Sequence, residues 1–341
     1  MEDALIDRRG FMTVSGVAVT AAASGWACAE PDRLTASAHG GRLDEETVAW
    51  VEDRIPALRK LDDRLSGDSV LRLALADLHM VTELISHSSY SAALGQRLLR
   101  TAAELAYLAG WVAFDSGLHS AAQRHYLTAL HAAHAADDRP LGANVLAGMA
   151  FQAALAGAPV EAVSLADTAE EHSGDTSPRV RAFLASRQAR AHAVAGDERA
   201  CARALNRAEQ LLDTADTAAW QDPAWVYYFD SAELAAQAGA CFVDLGQPEQ
   251  AEPVLMRALA DQAPSYVRDR TIYTIRLARA RLQAGHLDHA CDLAAQAAEL
   301  AHSARSNRGS QEVSALRTSL QPFSSSPAVT ALDERIAALA A

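Results

Sequence analysis

Five glycines recur at near-regular intervals in the middle of the chain and fix its repeat unit. They are Gly117, Gly157, Gly196, Gly246 and Gly285, separated by 40, 39, 50 and 39 residues. Seven residues before each glycine lies a small residue, and twelve residues after each lies an alanine. The small residues are Gly110, Ala150, Ala189, Gly239 and Ala278, and the alanines are Ala129, Ala169, Ala208, Ala258 and Ala297. When the five segments are aligned on these glycines, the same residue types recur at the same positions, which indicates an internal repeat.

The stretch around Gly246 shows what one repeat folds into. Pro248, two residues after the glycine, suits the first turn of a helix. Ala251, Leu255 and Ala258 then recur at the offsets of one helical face. Two helices joined by a tight turn are typical of a tetratricopeptide repeat (TPR) of about 34 residues. About five extra residues per unit predict longer helices or longer loops than the standard form.

We therefore predict an all-α fold with no sheet, a TPR-like helical-hairpin solenoid wound as a right-handed superhelix. Extra N- and C-terminal helices are expected at its two ends. They are one helix over 45–66, one over 69–88, and final helices near 311–320 and 328–340. A long helical run over 91–115, with a break near Arg100, leads into the first turn glycine. The solenoid would occupy residues 42–341.

The first 41 residues are predicted to be a flexible linker. Arg8-Arg9-Gly10-Phe11-Met12 is similar to a twin-arginine export signal, and the weakly apolar run 13–29 follows it. That run is too short and too polar to span a membrane. Export remains the alternative to a linker that stays in place.

The charge of the chain argues against nucleic acid as a direct partner. Its formal net charge is −13, and phosphate contacts need clustered Lys and Arg. Of the four cysteines, Cys201, Cys241 and Cys291 fall in predicted repeat helices and Cys28 in the linker, with no Cys-x-x-Cys pair. Buried, reduced thiols in a cytoplasmic protein are the interpretation that we adopt.

Candidate ligand-binding residues follow from the repeat register, because the first helix of each hairpin lines the concave groove in this repeat class. Together with one residue of the insertion 213–229, they are Tyr107, Trp111, Asp115, Asn144, Phe151, Arg190, Tyr228, Glu233, Arg276 and Arg279. Aromatic residues lie at one end and arginines at the other. We expect the arginines to hold a carboxylate or other anion, and the aromatic insertion to roof the groove. A solvated face with ordinary salt bridges would carry the same residues, and both interpretations stay open.

The sequence gives little support for a metal or for catalysis. His79, Glu83 and His87 share one face of a predicted helix at metal-ligand spacing, and they are the candidate metal site. The sequence supplies no further ligand, so we interpret the row as a polar helix face. No phosphate-binding loop and no nucleophile-base pair occurs, so no catalytic residue and no cofactor is predicted.

Several ungapped blocks resemble a known family. They are Leu61-Asp62-Asp63-Arg64-Leu65 with Gly67-Asp68, Ala109-Gly110-Trp111-Val112-Ala113-Phe114-Asp115, Gly142-Ala143-Asn144-Val145-Leu146-Ala147-Gly148-Met149-Ala150, and Arg268-Asp269-Arg270. Over roughly residues 42–340, the chain resembles the C-terminal TPR sensing region of actinomycete transcriptional regulators of the XRE class. That family carries an N-terminal helix-turn-helix, and an Arg-Arg-x-Phe-Leu segment often links it to the repeats. No room for such a domain precedes Arg8, so DNA binding is not carried over.

Two functions are expected from these features. The first is a regulator-like sensing or protein-interaction module that binds a peptide, small molecule or partner protein in its concave groove, with a homodimer as an open option. The alternative is an enzyme or ligand carrier of a biosynthetic pathway that uses the groove as a pocket, with or without a metal. The groove and the resemblance favour the first, and the sequence predicts neither a nucleic-acid nor a membrane partner.

Overall fold

A computed structural model describes residues 42–64, 68–217, 220–264, 266–304 and 306–339. The linker with its twin-arginine segment and Cys28 lie outside these residues. Within them the secondary structure is helical without a strand, and an isolated bridge joins Arg42 to Ser89. No helix of this part of the chain is long and apolar enough to cross a membrane. The predicted all-α fold class is confirmed.

The helices follow one another along the whole described chain. They are α1 (Glu45–Glu52), α2 (Arg54–Arg64), α3 (Asp68–His87), α4 (Ala92–Asp115), α5 (His119–Ala135), α6 (Arg139–Leu155), α7 (Pro159–Glu171), α8 (Pro178–Val194), α9 (Glu198–Thr217), α10 (Ser231–Asp244), α11 (Pro248–Asp261), α12 (Val267–Gln283), α13 (Leu287–Ser303), α14 (Asn307–Leu320) and α15 (Pro327–Leu339). Short 3-10 turns lie at Ala224–Val226 and Gln321–Phe323.

The predicted turn glycines join the helices into five hairpins, from α4–α5 to α12–α13. Each glycine has a positive φ, between 68° and 81°. A side chain would be strained there, and glycine at this position ends a helix by a left-handed cap. The backbone N–H after each glycine then bonds back to a carbonyl of the preceding helix, as Gln247 does to Phe242. The repeat read from the sequence is therefore the repeat of the fold.

Two glycines inside helices let the hairpins cross closely. A Cβ on Gly239 would lie 2.4 Å from Leu255 Cγ, and one on Gly110 would lie 2.6 Å from Tyr126 Cδ1. Both neighbouring side chains are fully buried, so neither can easily move away. The small residues seven positions before the turns are thus required by helix packing.

The ends of the array differ from the prediction in detail. Residues 45–66 do not form one helix, because α1 ends at Glu52 and α2 begins at Arg54. Pro56 cannot donate a helical hydrogen bond and is tolerated in the first turn of a helix, which explains a new start there. The expected break near Arg100 is absent from α4. Arg100 instead reaches Asp138 at 2.7 Å, so its polar side chain is satisfied outside the helix.

The C-terminal helices cover the last hairpin. The helix expected near 311–320 begins earlier, at Asn307, because Ser306 caps it by accepting a hydrogen bond from Gly309 N. Val313 and Leu316 of α14 and Leu332 of α15 pack into the same core as α12 and α13. This covering brings α14 into contact with α12, the first helix of the fifth hairpin.

Candidate ligand-binding site

A large cavity is lined mainly by the first helices of the hairpins, and we call it the aromatic cavity. The first helices of all five hairpins contribute to it, as do α2, α14 and the segment 225–228. Its envelope is about 910 Å³, which includes space open to solvent. Eight of its lining residues are aromatic: Tyr107, Trp111, Phe151, Trp225, Tyr227, Tyr228, Tyr266 and Tyr273. Nine are charged: Arg59, Asp62, Asp63, Arg187, Glu233, Arg268, Asp269, Arg276 and Arg308.

A buried ion pair closes one wall of this cavity by joining α2 to α12. Arg268 donates from Nη2 to Asp62 Oδ2 and from Nη1 to the Asp62 carbonyl, both at 3.2 Å. Asp115, at the end of α4, lies 3.7 Å from the same guanidinium. Burial raises the pKa of Asp62 to about 6; Arg268 opposes this shift and Asp115 adds to it. Arg268 therefore contacts two carboxylates from different parts of the chain, and Arg308 Nη1 also lies 3.8 Å from Asp115 Oδ1.

The insertion between the third and fourth hairpins contributes Trp225, Tyr227 and Tyr228 to the cavity lining. Tyr227 donates its hydroxyl to Asp63 Oδ2 at 2.5 Å, so the insertion also contacts α2. Trp225 packs edge-on to Phe183, with 6.0 Å between the ring centroids. Trp220, which the sequence analysis counted in the same aromatic stretch, is half exposed and does not line the cavity.

Glu233 of α10 and Tyr273 of α12 form a second hydrogen-bonded group in the cavity lining. Tyr273 donates its hydroxyl to Glu233 Oε2, and Gln237 donates to Glu233 Oε1 at 2.6 Å. Burial, with the charges of Glu233 and Asp269, raises the pKa of Tyr273 well above its usual value. Burial also raises the pKa of Asp269 to about 7, although Arg268 opposes the shift. Near neutral pH the cavity therefore holds a carboxyl group that can either donate or accept a hydrogen bond.

Arg187 lies at the floor of the cavity over two aromatic rings. Its Cζ is 4.5 Å from the centroid of Phe151 and 5.0 Å from that of Phe183. The residue is buried, and its Nε and Nη1 make no hydrogen bond within the described part of the chain. A buried guanidinium with unpaired N–H groups favours an acceptor supplied by a ligand.

A second, smaller cavity adjoins the first, and we call it the arginine pocket. Its charged lining consists of Arg190, Asp244, Arg276, Arg279, Arg308 and Glu312. Its envelope is about 330 Å³. Arg276, Arg308 and Ile272 line both cavities, so the two are contiguous.

Most candidate residues from the sequence lie at these two cavities. Tyr107, Trp111, Phe151, Tyr228, Glu233 and Arg276 line the aromatic cavity, and Arg190 and Arg279 line the arginine pocket together with Arg276. Asp115 lines neither cavity and instead supports the wall through Arg268. Asn144 is buried within α6 and is not among the lining residues. Ligand binding by these residues stays a prediction.

Sequence reasoning missed two groups of lining residues. Arg59, Asp62 and Asp63 of α2 and Arg308 of α14 reach the cavity from outside the first helices, whereas Arg187 of α8 and Arg268 and Asp269 of α12 lie on first helices but were not among the candidates. Two blocks that carry the family resemblance, at residues 61–65 and 268–270, contain the two partners of the buried ion pair. The sequence blocks therefore already contained Asp62 and Arg268, but the spacing of the repeats gave no reason to place α2 beside α12.

The remaining predicted features lie elsewhere. The described residues contain no group of three or more His, Cys, Asp or Glu side chains placed to hold a metal ion. His79, Glu83 and His87 therefore do not form such a group. His87 Nε2 lies 3.4 Å from Glu83 Oε2, and both side chains are exposed. Cys201, Cys241 and Cys291 are free, buried thiols.

Comparison with known proteins supports the fold. No family model matches the chain, and no curated protein matches it either. Among solved structures, the chain is similar to the crystal structure of a Rap protein complexed with competence and sporulation factor, with a TM-score of 0.53 and 13% sequence identity. The similarity covers 87% of this chain and 98% of that chain. At this identity it shows a shared TPR-like helical-repeat fold.

Proposed function

We propose that the protein is a cytoplasmic, regulator-like binding module that holds a peptide, a small molecule or a segment of a partner protein in the aromatic cavity. The observation that carries the proposal is the lining of the cavity. Five arginines and four carboxylates lie there beside eight aromatic rings. Burying charged groups costs free energy unless they are paired, and a purely structural array has no need of them. The lining is the kind that fixes an occupant by a few polar contacts within an apolar pocket.

The chemistry of the lining favours an occupant with both apolar and hydrogen-bonding groups. Trp111 and Phe151 stack with 6.1 Å between their centroids and present an apolar surface. Arg187 offers unpaired donors, whereas Asp269 can accept or donate near neutral pH. A peptide backbone with one or two apolar side chains satisfies all of these groups at once.

The similar solved structure supports this proposal in one respect. The Rap protein has the same kind of helical-repeat fold and was crystallised with a bound factor. The sequence resemblance to the sensing region of XRE-class regulators points in the same direction. We propose that this chain senses its ligand or partner without contacting DNA itself, in keeping with its net charge of −13.

Affinity selection from a random hexapeptide library on the immobilised full chain tests the proposal, with native mass spectrometry of the purified protein for any retained molecule. Tyr227→Ala removes an aromatic ring from the cavity, and Trp50→Ala removes one of similar exposure from α1, outside it. We expect Tyr227→Ala to weaken binding of the selected peptides and Trp50→Ala to leave it unchanged. Equal binding by both variants would place the binding surface elsewhere and refute the proposal.

A further inference from the structure

The arginine pocket brings four cations together with two carboxylates. Arg190 comes from α8, Arg276 and Arg279 from α12, and Arg308 from α14. The two carboxylates are Asp244 of α10 and Glu312 of α14. The ionised side chains that line the pocket therefore carry two more positive than negative charges.

The existing contacts leave part of this donor set unused. Arg190 Nη2 lies 3.2 Å from Asp244 Oδ2, and Arg279 Nη2 donates to Glu312 Oε2 at 2.6 Å. Arg276 Nη1 donates to the Ala236 carbonyl at 3.1 Å, and Arg308 Nη1 lies 3.8 Å from Asp115 Oδ1, outside the pocket lining. After these contacts, Nε and Nη1 of Arg190 and Nε of Arg308 are buried without a hydrogen-bond partner in the described residues. Arg190 is only 6% exposed, so water cannot freely hydrate these N–H groups. Leaving buried charged donors unpaired is costly, and an anion would satisfy them.

The crowding of positive charge is visible in the neighbouring groups. Burial, followed by the charges of Arg190 and Arg308, lowers the pKa of Arg276 to about 10. Burial alone would raise the pKa of Glu312, yet the surrounding arginines outweigh it and lower that pKa. Both shifts have the sign that a local excess of positive charge produces.

We propose that the arginine pocket binds an oxyanion, a carboxylate or a phosphate, through the unpaired N–H groups of Arg190 and Arg308 with Arg276 beside them. The site deepens the proposed binding function, on which it rests for the larger molecule that would carry the anionic group. Because Arg276 and Arg308 line both cavities, one ligand can place its anionic group in the pocket and its apolar part among the aromatic rings. Binding of a free oxyanion does not depend on that larger ligand.

Calorimetric titration of the full chain with inorganic phosphate or with acetate, in chloride buffer of matched ionic strength, tests the site. We expect saturable binding of at least one anion above the chloride background. Preference for phosphate points to a phosphorylated ligand, and preference for acetate points to a carboxylate. Arg190→Gln should weaken binding about tenfold to a hundredfold, as expected for the loss of one charge-assisted contact. Arg281→Gln is the control, because Arg281 lies on α12, lines neither cavity and forms an ion pair with Glu252 at 2.7 Å.

A second variant should raise the affinity for the anion, which a folding defect would not do. Glu312→Gln removes a carboxylate from the pocket, so the affinity for the anion should rise. Absence of binding by the wild-type chain, or equal affinities in Arg190→Gln and Arg281→Gln, would overturn the proposal. Tyr227→Ala should leave the binding of free phosphate or acetate unchanged, so failure of the aromatic cavity and failure of the anion site can be told apart.

Discussion

The buried pair between Arg268 and Asp62 gives the sharpest test of how the cavity wall is held. Arg268→Gln removes a cation whose side chain is 13% exposed and leaves the buried Asp62 without its partner, while Asp115 retains Arg308 at 3.8 Å. Removing one partner of a buried pair typically costs about 3–5 kcal/mol of unfolding free energy. We expect a loss of that size at pH 8, measured by urea unfolding followed by circular dichroism at 222 nm, the helix signal.

The same variant should be less harmful at low pH. The pKa of Asp62 is about 6 in the folded chain, so at pH 5 its carboxyl is mostly protonated and needs no cation. The matched control is Arg335→Gln, which breaks a pair with Glu299 that is shorter, at 2.7 Å against 3.2 Å, but whose side chains are half exposed. Exposed pairs contribute only about 0–1 kcal/mol. If Arg268→Gln costs no more than Arg335→Gln at pH 8, or if its cost is the same at pH 5, the reasoning about this wall is wrong.

Three further predictions concern packing, pH and nucleic acid. Gly239→Ala should lower the unfolding free energy in urea by about 1–3 kcal/mol because its Cβ meets Leu255, and a combined Gly239→Ala/Leu255→Ala variant should lose less than the two single losses added. The raised pKa of Asp269, about 7, means that the folded state keeps a proton that the unfolded chain releases, so stability contributed below about pH 4 should be lost as pH rises toward 7. Asp269→Asn should flatten that decline between pH 4.5 and pH 7.5. In a gel-shift assay at physiological salt the isolated chain should not retard duplex DNA, and a sequence-specific shift would contradict this expectation.

The repeat could be read from the sequence because its key positions are chemically restrictive. Gly117 and the four other turn glycines have a positive φ that favours glycine, and Gly110 and Gly239 lie where a Cβ would collide. Such positions leave a mark in a single sequence. The boundary between α1 and α2 at Asp53 was harder to predict, because Pro56 is compatible both with the first turn of a helix and with an interruption within one.

The candidate site could be predicted only in part for a different reason. Residues such as Trp111, Phe151 and Arg276 follow from the register of the first helices, which repeats locally. Asp62 and Arg308 reach the cavity because α2 and α14, which lie outside the hairpins, pack beside the first helices. That arrangement depends on contacts between distant segments, and no local period encodes it.

The contact between α2 and α12 changes how the array should come apart. In an open solenoid each repeat touches its neighbours alone, so unfolding can begin at a free end and advance one repeat at a time. Here Arg268 and Asp62 are 206 residues apart in the chain and yet share a hydrogen bond. Fraying of α2 must therefore break the contact between α2 and the fifth hairpin at the same time. Refolding must close a very long loop before that contact can form. The chain should therefore fold slowly and unfold cooperatively. A ligand that contacts both α2 and α12 would slow the unfolding of every repeat.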